Sequence, residues 1–352
     1  MIRYLEKEEA YKSRKLYKEA FFEDSESFTD YYYKEKVKNN RILVDEENST
    51  IRAMLHQNPY LISFLGNTYE VDYIVAVATG KEHRRQGLMR NLLYKSLNTM
   101  YSEKKPFTFL LPANKAYYEP FDFNFISDYY LIEIDEKKNI VTKPYENKDK
   151  NNLTEFMMDY FSKNYQLYCI RDDFYVDRLI EELKSEDGFI ELLYSDDKIV
   201  GYKLIWGLEK KEVRAFVLEK AYRKAFIKKN EAYMARIVNL KEFMKNISIK
   251  KACGQDEITL YISVKDAIIK ENNACFRWKL GKSGSIIEEI SEKEAALHNF
   301  IELDIKDLSG YLFGYGDKYD AQLGACVEKT APVYIDCLLY TSPSPRDRTR
   351  SR

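Results

Sequence analysis

The stretch Val71–Phe123 limits what this chain can fold into. An apolar strand signal, VDYIVAVAT, runs into a short basic turn, EHRRQG, which opens an amphipathic helix. Leu88, Leu92, Leu93, Leu97 and Met100 recur at helical spacing along one face, and Lys104-Lys105-Pro106 stops the pattern. A second apolar strand, Phe107–Leu111, is closed by Pro112 and followed by the tyrosine-rich AYYEPFDF. Strand, turn, helix and strand in this order call for a mixed sheet covered by helices.

The turn also carries chemistry. A helix start presents several unsatisfied backbone N–H groups and the positive end of the helix dipole, so it suits a phosphate. Gly87 lets the backbone approach such a ligand without a Cβ. Arg84 and Arg85 can add charge-assisted bonds, and Leu88 and Met89 begin the helix. Val77 and Thr79, at the end of the preceding strand, offer backbone groups if that strand splays from its neighbour. Tyr118, beyond the second strand, is the candidate general acid.

Taken in order, Ile2–Leu5 reads as a strand and Glu8–Phe22 as a helix. Ser27 is a candidate N-cap for a short helix through Tyr31–Lys36. Arg41–Asp45 and Ile51–Gln57 are strand signals, with Pro59 an interruption before Tyr60–Leu65. Ile132–Pro144 (IEIDEKKNIVTKP) is a charge-rich connector ending the first domain. Two helix signals, Asn151–Tyr165 and Asp173–Lys184, precede three strand signals, Phe189–Tyr194, Lys198–Trp206 and Glu212–Leu218. This repeats the first half of domain one, but EKAYRKAFIKK stands where RRQGLM would be. From Met234 the pattern becomes a small α+β unit. It has a strand leading into a helix at Arg236–Met244 and strands at Asp256–Val264, Ala274–Leu280 and Ile286–Ile290. A strand-like Ala295–Leu303 and a helix at Ile305–Phe313 complete it.

Composition sets the outer bounds. With 352 residues, 45% of them hydrophobic and 32% charged, the chain suits two or three folded domains. No window approaches the roughly 18–20 apolar residues that span a bilayer, and no signal peptide is evident at the start. Five cysteines without CxxC spacing favour reduced buried thiols, and three scattered histidines disfavour a zinc site. A cytoplasmic protein without a metal is therefore expected. The net charge of −1 argues against nucleic acid as a partner. The last residues, TSPSPRDRTRSR, offer no apolar face, so disorder is expected there; they also resemble translated sequencing-adapter read-through, so 337–352 is expected to be a non-native tail.

VAVATGKEHRRQGLMRNLL resembles the acetyl-CoA motif of GCN5-related N-acetyltransferases (GNAT), Arg/Gln-x-x-Gly-x-Gly/Ala. Arg84 and Gly87 match it, and Met89 replaces the small last residue. That replacement is similar to the enhanced-intracellular-survival (Eis) type, as is YYEPFDF, which places that type's general-acid tyrosine on Tyr118. The resemblance implies two tandem GNAT folds and a sterol-carrier-protein-like (SCP2-like) α+β domain, with mixed sheets throughout. The divisions are then 1–133 (catalytic), 134–231 (no cofactor turn), 232–336 (SCP2-like) and the 337–352 tail. MARIVNLKEFM, IIKENNACFRWKL and IELDIKDLSGYLFGYG resemble the last of these domains. The resemblance also implies acetyl-CoA as cosubstrate, a hexamer, and a C-terminal carboxylate near the active site. The divergent final residues leave that carboxylate unassigned.

On the acceptor side, Glu23, Asp24 and Glu26 border the cleft expected of this fold and suit a cationic amine such as an aminoglycoside, polyamine or lysine. Tyr31–Tyr33 offer aromatic walls. The expected function is acetyl transfer from acetyl-CoA to a primary amine. A lipid or small-ligand carrier built on the C-terminal domain, with the acetyltransferase fold as scaffold, is the alternative.

Overall fold

Two long strands, β3 (Thr50–Phe64) and β4 (Asn67–Thr79), form the antiparallel spine of the largest sheet in the computed structural model, which describes residues 1–208 and 210–335. The expected tail from 337 onward lies outside the described residues. Before the spine come β1 (Ile2–Tyr4), α1 (Arg14–Ala20), α2 (Glu26–Tyr31) and β2 (Arg41–Glu47). After it come α3 (Leu88–Ser102), β5 (Phe107–Leu110), β6 (Asn124–Phe125), β7 (Asp128–Ile134) and β8 (Val141–Pro144). The middle of the chain forms α4 (Lys150–Asn164), β9 (Leu167–Cys169), α5 (Asp173–Ser185), β10 (Phe189–Ser195), β11 (Lys198–Trp206), β12 (Glu212–Leu218) and β13 (Arg223–Glu231). The last part holds β14 (Met234–Ile237), α6 (Leu240–Met244), β15 (Glu257–Lys265), β16 (Cys275–Gly281), β17 (Gly284–Glu289), α7 (Glu292–Ala295), β18 (Ile301–Asp304), α8 (Ile305–Leu312), α9 (Asp320–Leu323) and β19 (Val333–Tyr334). The fold is mixed α+β with several sheets, and a tandem GNAT arrangement fits its size.

The large sheet runs β1-β2-β3-β4-β5-β14-β6, with β9 pairing β3 and β19 pairing β9. Successive residues of β3 face opposite sides. Gln57 reaches α3, donating through Nε2 to Ser96 Oγ at 3.0 Å. His56 faces the other layer, where its Nδ1 meets the Tyr32 hydroxyl at 2.7 Å. Tyr17 stacks on Tyr32 at 5.0 Å in the same layer. Leu92, Leu93, Leu97 and Met100 of α3 are fully buried, as their spacing predicts.

Pro59 does not interrupt β3; it pairs with Asp72 of β4 inside the strand. On the opposite side β2 has already ended at Gln57, and β9 joins only from Ile62. A proline is tolerated where no strand needs its missing N–H.

The middle part packs α4 and α5 on the sheet β12-β11-β10-β8. The three strand signals expected here fall on β10, β11 and β12. The charged segment 132–144, expected as a connector, carries strand instead. β7 pairs with β13 as a two-stranded ribbon, and β8 pairs with β10. The expected division after residue 133 therefore falls inside β7.

Strand β14 lies between β5 and β6, so a segment from residue 234 onward completes the N-terminal sheet. Beyond it stands a separate sheet, β17-β16-β15-β18, in which β18 runs parallel to β15. Trp278 fills its interior and donates through its indole to Ser285 at 2.7 Å. The expected strand over 295–303 resolves into the end of α7 and the short β18. Two further expectations change. Ser25, not Ser27, caps α2, its hydroxyl accepting from the Phe28 N–H at 3.0 Å. Among the described residues the thiols are free, but of these only Cys169 is fully buried; Cys253, Cys275 and Cys326 are half-buried.

Candidate active site

Strand β4 is bulged near its C-terminal end. Ala78 pairs with Met54 and Val75 with His56, so two residues oppose Leu55. Ala76 takes a left-handed φ of 51° there, as bulges allow. β4 and β5 run parallel and meet in register only at Tyr73 and Phe109. Past that point β4 has no strand partner on this side among the described residues. Val77 and Thr79 lie in this unpaired part and are half-buried.

A turn of Lys81–Gly87 connects β4 to α3. Arg85 and Gly87 both adopt left-handed conformations, with φ of 63° and 77°. Glycine takes such a φ without strain, which accounts for Gly87 at the N-cap of α3. No atom of the protein lies within 4 Å of where its Cβ would stand. No side chain caps α3, and the Asn91 N–H donates to the Gly87 carbonyl at 3.1 Å. The first-turn N–H groups, including those of Leu88 and Met89, lie upstream of that bond. Arg84 folds back toward β4, its Nε 3.4 Å from the Thr79 carbonyl, while Arg85 is exposed. The Leu88 side chain anchors the helix start in the core, with Met89 partly buried beside it.

Tyr118 joins two short 3-10 turns after β5 and is buried. Its ring meets Phe123 edge-on at 6.0 Å. Burial raises its pKa above the ordinary phenol value, so it keeps its proton at neutral pH. The segment is fastened from two directions. Phe121 packs edge-on against Tyr94 of α3 at 6.0 Å. Tyr94 is six residues past the helix start, about 9 Å along the axis at 1.5 Å per residue. From behind, the fully buried Arg236 of β14 donates to the Phe121 carbonyl at 2.9 Å.

Arg236 was not singled out from the sequence. It also donates to Asp266 Oδ1 at 2.6 Å and lies 3.4 Å from Asp122 Oδ2. Asp266 in turn accepts from the backbone N–H groups of Ile268 and Ile269. One buried guanidinium thus ties the Tyr118 segment to the C-terminal part of the chain. A charged residue inside the otherwise apolar run MARIV was the available signal.

The three acidic candidates separate. Asp24 is half-buried and accepts from the Tyr17 hydroxyl at 2.7 Å. Burial lifts its pKa to about 7; the Tyr17 bond and Arg214 oppose this, and Glu186 adds to it. Glu23 is exposed, and Glu26 is held by Arg14 at 2.7 Å and Lys18 at 2.5 Å. Tyr31, Tyr32 and Tyr33 are buried packing residues, the last two against His56. Burial lowers the His56 pKa to about 3, so the ring is neutral. The turn, the end of β4 and the Tyr118 segment are thus all attached to α3, while Asp24 belongs to the layer across the sheet. A cavity of about 470 Å³ lies elsewhere, between the β7–β13 ribbon and the chain around Tyr334.

Residues 1–126 match the family profile described as acetyltransferase (GNAT) domain. Residues 1–126 therefore carry a GNAT acetyltransferase domain. Solved structures show the same fold over nearly the whole chain. A conserved protein from Enterococcus faecalis, described as a probable N-acyltransferase, is 14% identical with a TM-score of 0.74. That match covers 94% of this chain and 93% of the other. A GCN5-related N-acetyltransferase from Anabaena variabilis is 16% identical at a TM-score of 0.71, covering 94% of each chain. Eis1 from Mycobacterium abscessus is 11% identical at 0.66, also covering 94% of each. Among curated proteins none matches this sequence.

Proposed function

We propose that this protein transfers an acetyl group from acetyl-CoA to the primary amine of a small cationic acceptor. The observation that carries the reading is the separation of β4 from β5 immediately before the Arg85–Gly87 turn and the uncapped start of α3. In this reading, Arg84, Arg85 and the N–H groups from Gly87 to Met89 hold the pyrophosphate. The free edge of β4 at Val77 and Thr79 holds the pantetheine arm, and the Val77 N–H polarises the thioester carbonyl. The amine, as free base, attacks the carbonyl carbon and forms the C–N bond; the C–S bond breaks, Tyr118 donates its proton to the departing thiolate, and the proton released by the acylated nitrogen returns, through solvent, to the phenolate. Its burial supports the role, since it keeps the phenol protonated until then.

Asp24 is the acidic group best placed to meet a cationic amine, because Glu26 already has two cations beside it. The sterol-carrier-like reading of the C-terminal part rests on its four-stranded sheet and on the sequence likeness, and assigns it a supporting role. The test is a thermal shift with acetyl-CoA, compared with an Arg84→Ala/Arg85→Ala variant. A shift in the unaltered protein that shrinks in the variant is expected. No shift in the unaltered protein would favour a carrier on a non-catalytic scaffold. A panel of aminoglycosides, polyamines and lysine peptides, read by thiol release, then identifies the acceptor class.

A further inference from the structure

The two half-buried thiols of Cys253 and Cys326 lie 73 residues apart in sequence, yet their Sγ atoms approach to 3.0 Å. That is inside the roughly 3.5–4.0 Å at which even smaller carbon atoms reach optimal non-bonded contact. The approach is built by the backbone. Ile249 and Val327 form an antiparallel bridge, the Lys250 N–H donates to the Cys326 carbonyl at 2.7 Å, and the Glu328 N–H donates to Ser248 O at 3.0 Å. Lys250 Nζ adds a bond to the Gly324 carbonyl at 2.6 Å. Cys253 then sits on a 3-10 turn ended by Gly254 at a left-handed φ of 72°. Neither thiol is sealed from solvent, in contrast to Cys169, and Cys275 lies in β16.

We infer that Cys253 and Cys326 form a reversible dithiol–disulfide pair that closes the C-terminal part of the chain on itself, with a low-molecular-weight disulfide such as oxidised glutathione as the oxidant. One protein thiolate attacks a sulfur of the oxidant, breaking its S–S bond and releasing one thiolate. The second protein thiolate then attacks the resulting mixed disulfide and releases the other. Two protein thiols lose two protons and two electrons, and one disulfide becomes two thiols. The bond encloses β15 to β18, α8 and α9. It also fixes the segment that continues to β19, whose pairing with β9 ties it to the large sheet. A cross-link over so long a loop restricts the unfolded chain strongly and stabilises the fold.

The test uses the full chain, incubated over a series of oxidised-to-reduced glutathione ratios, alkylated, digested and mapped by mass spectrometry without reduction. One cross-linked peptide pair joining Cys253 to Cys326 is expected, two hydrogens lighter than the separate peptides and reversed by dithiothreitol. The oxidised protein is expected to melt several degrees higher than the reduced one. That gain should vanish in Cys253→Ser and in Cys326→Ser, each of which matches the reduced parent's melting point. Free alkylation of both thiols at every ratio would overturn the proposal, and so would linkage of either to Cys275, Cys337 or a second chain.

Discussion

The N-terminal and middle parts of this chain run through a similar order of elements, apart from β9 between α4 and α5, and then diverge after their last strand. In both, two helices precede antiparallel strands ending in an apolar one, β4 or β12. After β4 the chain makes a turn with two left-handed residues and starts the fifteen-residue α3. After β12 it makes one 3-10 turn at Lys220–Tyr222 and continues into β13, which pairs with β7. The first solution leaves backbone donors open at a helix start and along a strand edge. The second spends its backbone on ladder bonds. On the proposed function, a duplicated scaffold is therefore compatible with one cofactor site, and the turn would decide which half has it.

The largest effect expected from breaking that asymmetry is at Tyr118. Tyr118→Phe keeps the ring that packs on Phe123 but removes the proton, and should lower kcat by about 10²–10⁴-fold. Acetyl-CoA affinity should stay unchanged in a binding titration. No comparable residue is proposed for the middle part.

Next comes Arg236, through which the first sheet depends on a strand from far along the chain. Arg236→Met leaves Asp266 buried without its cation, and loss of one partner of a buried pair costs about 3–5 kcal/mol. Urea unfolding measures this, and a loss below about 1 kcal/mol would show that the pair does not fasten the two parts together.

Gly87 and Lys220 each lie in the turn that follows the last strand of its part, β4 or β12. Gly87→Val forces a β-branched residue into a left-handed conformation, at a cost of about 1–3 kcal/mol. It also puts a side chain into the open space over the helix start, so acetyl-CoA binding should weaken about 10–100-fold. Lys220→Ala should leave it unaltered. Equal weakening in both would end the single-site reading.

Much of this contrast was legible in the sequence, because it rests on local signals. The α3 stripe, the alternation of β10 to β12 and the RRQG turn each lie within one short window. What was not legible depends on partners distant in sequence. The four residues of β14 carry no mark saying that they belong between β5 and β6. The charge of β7 reads as linker because a two-stranded ribbon keeps much of its surface in water: Tyr130, Leu131, Phe226 and Ile227 are all exposed. Pro59 was misread because a proline's cost depends on whether a neighbouring strand faces its nitrogen. For the site, residue types pointed to the turn and to Tyr118. The separation of Asp24 from Glu26 follows from Tyr17, Arg14 and Lys18, which no motif records.

Asp24 gives the smallest of these effects and the most direct test of which layer receives the acceptor. Its folded pKa of about 7 lies above the roughly 3.9 of an unfolded aspartate. Between those values the folded chain holds a proton that the unfolded chain has lost, so this group's contribution to stability falls as pH rises. Below about pH 4 both states are protonated and Asp24 makes no difference. Above pH 7 the full penalty applies, and Asp24→Asn should be more stable than the parent there, with the difference shrinking toward pH 4. Activity should move the opposite way if the carboxylate meets the cationic amine. The ionised fraction rises through pH 7, so kcat/KM for a cationic acceptor should rise across the same range and lose that limb in Asp24→Asn. A stability difference without a change in the pH profile would keep Asp24 in the packing around Tyr17 and remove it from the acceptor site.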